Sequence, residues 1–198
     1  APNYSPQDPQ VLQLAAQLGC HDDAGLGFAG EALKSLGHVT DDARLVAAAA
    51  VGAPASAVWP TANRAIYVPF VIVEQVTVVK LWMYNGLAAA NGNIDIGIYN
   101  ATSLSLLVSS GAVATAGTGV VQDFDVTDTA LPPGRYYLAA SLSSGTDATL
   151  RWAPVVIFEA LPIATEAAAH PLPATATPVA PAASAYVPLM GLSLRTQV

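Results

Sequence analysis

The sequence predicts a mainly β protein: an antiparallel β-sandwich at residues 63–158, a short helical N-terminal arm at 1–62 and an extended tail at 159–198. Two observations predict this class. In the middle of the chain, apolar and polar residues alternate with period two in run after run, which is typical of half-buried antiparallel strands. Turn-forming residues separate these runs at a spacing that corresponds to about seven or eight short strands.

The N-terminal arm shows helix signals instead. Asp8 is a suitable N-cap, Pro9 a suitable first helical residue and Gly19 a suitable end. A second short helix is predicted through "FAGEALKSL", and a third after Thr40, where "TDDARLVAAAAVG" offers a cap, early acidic residues and a closing glycine. Helices of this length are rarely stable alone, so we expect them to dock on another surface.

Four runs carry the strand prediction: "VTVVKLWMYNG", "GNIDIGIYN", "VVQDFDVTD" and "GRYYLAASL". Alternation places one apolar set toward a core: Val79, Leu81, Met83, Ile94, Ile96, Ile98, Phe124, Val126, Tyr136, Leu138, Ala140 and Leu142. Pro132 and Pro133 cannot donate to a ladder, and Gly134 permits a turn, so the last strand begins there. Tyr136 is therefore predicted in the core and Tyr137 on the opposite face.

The tail is rich in Pro, Ala and Thr over residues 159–185, a composition that favours an extended and poorly packed chain. The final "YVPLMGLSLR" alternates weakly and predicts one more strand. We expect the tail to lie along a partner or along its own domain. Because short helices and a Pro/Ala chain do not order themselves easily, the arm and the tail are interpreted as assembly elements.

Composition limits the classes of partner. The hydrophobic share is 53% and only 11% of residues are charged, against roughly 25% in ordinary soluble domains. The longest apolar candidate, "LVAAAAVGAPASAVW", is interrupted by Gly52 and Pro54 and is shorter than the ~20 residues of a membrane helix. We therefore expect no membrane insertion, and burial of the apolar excess against other subunits. A net charge of −7 argues against a nucleic-acid partner.

Three motifs of the middle region carry a resemblance. They are Asn-Arg-x-x-Tyr-x-Pro-Phe at 63–70, Gly-x-x-x-x-Gly-Ile-Tyr at 92–99 and Leu-x-Pro-Gly-x-Tyr-Tyr-Leu-Ala at 131–139. Together they resemble jelly-roll, galactose-binding-like modules of tailed-bacteriophage virion proteins, over residues 63–152, roughly half of the chain. The resemblance implies a jelly-roll topology and an accessory role, as a head decoration, head fibre, minor tail or baseplate protein.

The sequence offers no spaced set of catalytic or metal-binding residues. His21, His38 and His170 lie outside the sandwich, and "GCHDD" holds adjacent rather than spaced ligands, as a helix-end loop does. Asp123 and Asp125 share a face as a glycosidase pair would, but solvated strand carboxylates are the simpler interpretation. We predict that the protein is not an enzyme and that it binds no cofactor. The oxygen-rich "NGNID" and "DFDVTD" leave a single structural Ca²⁺ as an open alternative.

The candidate ligand or interface face follows from the strand alternation. Aromatic rings among charged hydrogen-bonding groups are how proteins hold sugars. The residues predicted to point away from the core in this way are Lys80, Trp82, Tyr84, Asp95, Tyr99, Arg135 and Tyr137. The alternative, which the low charge content favours, is that the N-terminal helices or a neighbouring subunit cover this face.

Together these observations predict a non-enzymatic structural component of a phage virion, localised in the particle. It would assemble on capsid or tail proteins and with copies of itself as a homo-oligomer. The alternative function is a carbohydrate-binding adhesion module that recognises cell-surface glycans.

Overall fold

The computed structural model describes residues 44–46, 55–88, 91–152, 163–179 and 187–195. Every regular element in these ranges is a β-strand, and every strand pairing is antiparallel, which confirms the mainly β antiparallel class. The strands are β1 (Arg44–Val46), β2 (Ala55–Val58), β3 (Ala65–Ile72), β4 (Val76–Tyr84), β5 (Asn93–Asn100), β6 (Leu106–Ser109), β7 (Val113–Ala114), β8 (Val121–Leu131), β9 (Gly134–Leu142), β10 (Ala148–Trp152), β11 (Ala164–Glu166), β12 (Val187–Pro188) and β13 (Met190–Leu194).

The strands form three sheets. The largest has the order β11-β3-β9-β5-β6, with β7 also paired to β5. A four-stranded sheet has the order β1-β13-β4-β8, and a three-stranded sheet has the order β12-β10-β2. Strands that follow one another in the sequence therefore often belong to different sheets. For example, β4 lies in the four-stranded sheet, whereas β3 before it and β5 after it lie in the six-stranded sheet.

The six-stranded and four-stranded sheets pack face to face, because alternate residues of both belong to one buried apolar cluster. The residues predicted to point inward on β5 and β9 are confirmed as core residues. Ile94, Ile96 and Ile98 of β5 are buried in this cluster, and so are the four predicted residues of β9, Tyr136, Leu138, Ala140 and Leu142. A sandwich-like arrangement with a single main core follows.

One inward prediction on β4 is wrong. Val79 is only half-buried, and the core residues of this strand are Val76, Val78, Leu81 and Met83. The pairing of β4 with β8 shifts register between Val78 and Lys80. A bulge of this kind reverses the alternation of faces at that point, so a strict period of two fails there.

The core also includes residues near both ends of the described chain. Trp59 and Ile163 belong to the main cluster, and so do Met190, Leu192 and Leu194 of β13. The segment for which the sequence predicts a final strand forms β12 and β13, and β13 lies between β1 and β4. The core therefore extends beyond the range 63–158.

The prediction of a helix after Thr40 is wrong for residues 44–46, which form the strand β1. This strand pairs with β13, from Arg44 opposite Ser193 to Val46 opposite Gly191. Pairing with a strand satisfies backbone groups that a short, marginal helix would satisfy less securely. The other two predicted helices, and the "GCHDD" stretch with Cys20 and His21, lie outside the described residues.

Candidate functional site

The seven residues of the predicted face are divided between two sheets. Lys80, Trp82 and Tyr84 lie on β4 in the four-stranded sheet, and the other four lie on β5 and β9 in the six-stranded sheet. Because the two sheets share one core, these groups lie on opposite outer faces of the sandwich. Alternation identifies the outward side of each strand, but it does not say to which sheet that strand belongs.

On the four-stranded sheet, Lys80 is exposed and has Asp125 and Ser193 as its cross-strand neighbours. Trp82, between Asp123 and Gly191, is only 4% exposed. The Tyr84 side chain is half-buried, and its hydroxyl donates a hydrogen bond of 2.6 Å to the Gly119 carbonyl. This face therefore presents charges to solvent but no exposed aromatic ring among its three predicted residues.

On the six-stranded sheet, the outward residues of β5 are covered. Asp95 and Tyr99 point away from the core, as predicted, yet they are 1% and 0% exposed. Tyr137 is half-buried, and Arg135 near the start of β9 is exposed. Within the described residues the cover is formed by residues 163–179, which we call the covering loop. The first two of the N-terminal helices that the sequence predicts as a cover lie outside the described residues.

The covering loop crosses the whole outer face of this sheet. At one edge its strand β11 pairs with β3. At the other edge Leu106 N donates to Ala174 O, and Ala176 N donates to Leu104 O, each at 2.9 Å. Thr165 and Val179 then exchange two backbone hydrogen bonds of 2.8 Å, which close the loop on itself. A compact surface loop with its ends joined in this way is an Ω-type loop.

The underside of the loop is apolar. Leu172 is the largest aliphatic side chain that the loop packs against this outer face. A Cβ added at Gly97 would lie 3.1 Å from Leu172 Cδ1 and 2.8 Å from Val108 O. Because glycine has no side chain, position 97 leaves room for the Leu172 side chain of the covering loop. The loop and the sheet together form a second apolar cluster, separate from the main core: Ala65, Tyr67, Tyr99, Ala139, Ala164, Ala169, Leu172 and Ala176.

Asp95 is the polar anchor beneath the loop. Its Oδ2 accepts a buried hydrogen bond of 2.9 Å from Leu172 N, and its Oδ1 accepts from the hydroxyls of Ser109 and Ser110. A buried carboxylate is tolerated only when donors satisfy it, and here three donors do so. The single charge on the outward side of β5 therefore holds the covering loop in place rather than facing solvent.

A second polar anchor joins Tyr67 to the loop. The Tyr67 hydroxyl donates a hydrogen bond of 2.7 Å to Glu166 Oε2, and Glu166 also accepts from the backbone N and the hydroxyl of Thr177. Burial, with the Glu166 hydrogen bond as the next cause, raises the pKa of the Tyr67 phenol well above its ordinary value. Burial likewise raises the pKa of Tyr99, whose hydroxyl donates to Pro173 O at 2.7 Å. Both phenols thus bond to the loop in their neutral form.

Ser141 and His170 are the one serine–histidine pair that the structure brings together within the described ranges, with Oγ and Nδ1 3.0 Å apart. A serine nucleophile needs a base within this distance and also access for a substrate. Ser141 is fully buried, and the Asp95 carboxylate across the strand pair is engaged by Ser109, Ser110 and Leu172. The pair therefore fixes the loop to β9, and its geometry is not that of a catalytic triad.

Another buried carboxylate, Asp147, joins three loops at the opposite end of β5 from Arg135. It accepts hydrogen bonds from Asn91 N at 2.9 Å, Gly92 N at 3.0 Å and the Thr115 hydroxyl at 2.9 Å. Sequence reasoning missed this residue because "SSGTD" is also an ordinary turn signal. Its role in the described structure is to hold turns together.

Among the described residues, no group of three or more His, Cys, Asp or Glu side chains is placed to hold a metal ion. The described residues include the two oxygen-rich stretches, "NGNID" and "DFDVTD". None of these residues belongs to a helix long and apolar enough to cross a membrane. Neither a protein-family model nor a curated protein nor a solved structure matches this chain. Fold and site together define an antiparallel, β-sandwich-like protein with one outer face closed by its own loop.

Proposed function

We propose that this chain is a non-enzymatic structural component of a bacteriophage virion, which assembles on capsid or tail proteins and with copies of itself. The observation that carries the proposal is the closed outer face of the six-stranded sheet. The groups there that a ligand would contact, Asp95, Tyr99 and Tyr67, are hydrogen-bonded to the chain's own loop. Such a body is suited to be a rigid building block.

We also propose that the sandwich is a jelly roll, and the strand order supports this topology. In the six-stranded sheet β9 lies between β3 and β5, and in the four-stranded sheet β8 lies beside β4. The connections β3–β4, β4–β5 and β8–β9 each pass from one sheet to the other. Two sheets linked by such crossings are a feature of jelly rolls. The three motifs that resemble phage modules lie on β3, β5 and β9, which are the centre of this arrangement.

The described surface also offers apolar contacts for assembly. Leu87 is 76% exposed just beyond the end of β4, and Val73 is 65% exposed just before its start. Val120 lies beside Leu87, since Gly119 N donates to Gly86 O and Asn85 N donates to Val120 O. Both ends of the sandwich therefore carry aliphatic side chains, which bury favourably against a partner.

The alternative function, a carbohydrate-binding adhesion module, requires an exposed aromatic ring on which a sugar can stack. None of the four aromatic residues in the predicted face is exposed: Trp82 and Tyr99 are buried, and Tyr84 and Tyr137 are half-buried. The geometry therefore favours assembly over glycan recognition.

The test is incorporation into particles. A tagged chain expressed during infection should co-purify with phage particles, and cryo-EM should place it on the head or the tail. Leu87→Asp and Val73→Asp should reduce incorporation, whereas Thr127→Asp, at an exposed position in the middle of β8, should not. Absence of the unmodified chain from purified particles would contradict the proposal. Binding on a glycan array that is abolished by Arg135→Ala, at an exposed position of the predicted face, would favour the adhesion module instead.

A further inference from the structure

The sequence contains two Asn-Gly dipeptides, and the structure places them in opposite environments. They are Asn85–Gly86, directly after β4, and Asn91–Gly92, directly before β5. Asparagine followed by glycine is the dipeptide in which a side-chain amide reacts most readily with the backbone, because glycine has no side chain to obstruct the nitrogen that attacks. Since the two dipeptides are identical, their exposure and contacts decide which of them reacts.

Asn85 is held inside the protein. Its side chain is 1% exposed, and its Nδ2 donates hydrogen bonds to Ala116 O at 2.6 Å and to Gln122 Oε1 at 2.8 Å. Gly86 is buried as well. A reaction at this amide breaks both hydrogen bonds, and it requires water to enter a packed region. The surroundings of Asn85 therefore protect it.

Asn91 is exposed, and the backbone nitrogen that follows it meets a carboxylate. Gly92 N donates a hydrogen bond of 3.0 Å to Oδ2 of Asp147, and Asn91 N donates one of 2.9 Å to Oδ1. The N–H bond lies in the plane of the peptide group, whereas attack on a carbonyl carbon uses electrons above that plane. Asp147 is therefore placed to accept the Gly92 proton without blocking the nitrogen.

The fold requires glycine at position 92. A Cβ added there would lie 2.8 Å from both Ser143 Oγ and Ser144 Cβ, which is closer than a real Cβ approaches other atoms. Asn93 N also donates to Ser143 Oγ at 2.8 Å, so this turn packs tightly on the chain after β9. The packing that excludes a side chain at 92 thus keeps a reactive dipeptide at the surface.

We propose that Asn91 is a site of spontaneous deamidation, with Asp147 as the proton acceptor. The Gly92 nitrogen forms a bond to Cγ of Asn91 as its proton passes to Asp147. The Cγ–Nδ2 bond then breaks, and the leaving nitrogen takes up that proton and departs as ammonia. Water hydrolyses the resulting succinimide ring at either carbonyl, which gives aspartate or isoaspartate at position 91. The inference is independent of the proposed function, because the reaction needs only this chain and water.

The products disturb the junction that Asp147 holds together. Aspartate at position 91 adds a negative charge near the Asp147 carboxylate. Isoaspartate adds one methylene to the backbone between the two N–H groups that Asp147 binds. The Thr115 hydroxyl donates to the same carboxylate at 2.9 Å, so the change reaches a third loop. We expect the melting temperature to fall as the modified fraction increases.

The test compares the two asparagines within one full-length chain. The chain is incubated at mildly alkaline pH, folded in buffer and, separately, unfolded in guanidinium chloride. Chymotrypsin cuts at Leu87, between the two sites, and mass spectrometry then measures the gain of about 1 Da on each peptide. In the folded chain Asn91 should react at least about tenfold faster than Asn85, whereas in denaturant the two rates should be similar. Equal rates in the folded chain would overturn the inference.

Two variants test the role of Asp147. Asp147→Asn removes the carboxylate and should slow the reaction at Asn91 by about tenfold or more. Thr115→Val is the matched control, because it removes a hydrogen bond to the same Oδ2 but leaves the carboxylate, so it should not slow the reaction. If Asp147→Asn does not fold, the unmodified chain still tests the role, since Asn91 should react faster folded than in denaturant. A rate that Asp147→Asn leaves unchanged or raises, or that is lower in the folded chain, would overturn the assignment of the proton acceptor.

Discussion

Truncation of Tyr136 to alanine should lower the free energy of unfolding by about 3–5 kcal/mol, the range for a large aromatic residue removed from a packed core. Tyr136 is 2% exposed and belongs to the main cluster, where its ring lies 5.7 Å from that of Phe70. Its hydroxyl donates a hydrogen bond of 2.7 Å to Pro132 O. Tyr136→Phe removes only that bond, so it should cost about 1 kcal/mol.

Tyr137, the next residue, should cost less to truncate. Its side chain is half-buried on the opposite face, and its ring contact with Tyr67 is worth about 0.5–1.5 kcal/mol. With the partial burial added, we expect about 1–2 kcal/mol for Tyr137→Ala. The difference in unfolding free energy between the two alanine variants compares two contributions to stability: packing in the main core and packing on the surface beneath the covering loop.

Urea denaturation followed by tryptophan fluorescence is the suitable assay, with the midpoint compared at an unchanged slope. Equal losses for Tyr136→Ala and Tyr137→Ala would refute the reasoning, because the two faces of β9 would then contribute alike. A Tyr136→Phe loss as large as that of Tyr136→Ala would also refute it, since the hydrogen bond rather than burial would then be responsible.

Three further predictions concern other parts of the fold. Stability should fall as pH rises above about 10, because unfolded tyrosines release their protons there while the raised pKa values of Tyr67 and Tyr99 keep the folded protein protonated. Thermal melts from pH 8 to 11 should show this loss, and Tyr67→Phe should make it shallower. Gly97→Ala should cost about 1–3 kcal/mol in urea denaturation, because the new Cβ would lie 2.8 Å from Val108 O and something must shift. Asp125→Val should increase self-association in analytical ultracentrifugation, because it removes an exposed charge from β8, the edge strand of the four-stranded sheet as described; unchanged sedimentation would contradict this.

The faces of individual strands could be predicted from the sequence because side chains alternate along an extended backbone. Ile94, Ile96 and Ile98 point inward for this reason, and Asp95 and Tyr99 point outward. Alternation is a local property, so it holds wherever no bulge intervenes.

What lies against each outward face could not be predicted in the same way. The covering element is chosen by contacts between residues about seventy positions apart, such as Tyr99 with Pro173, and no local pattern encodes them. The proline-rich composition of residues 159–185 favours a poorly packed chain, yet Leu172 and Ala176 in this segment are buried. A signal was nevertheless present. An outward set of Asp95, Gly97 and Tyr99 contains one charge, one glycine and one ring, which is unusual for a surface in contact with water.

The position of β13 has a consequence for how the protein folds. This strand lies between β1 and β4, with Leu192 paired to Leu45 on one side and to Leu81 on the other. Contacts that join residues more than a hundred positions apart slow folding, because a long stretch of chain must be confined before they form. On the ribosome, the four-stranded sheet cannot be completed until residues 190–194 have emerged, by which time β4 and β8 have long been synthesised. Until then the edge of β4 that pairs with β13 lacks its partner strand, and chaperone binding during synthesis is expected to concentrate there.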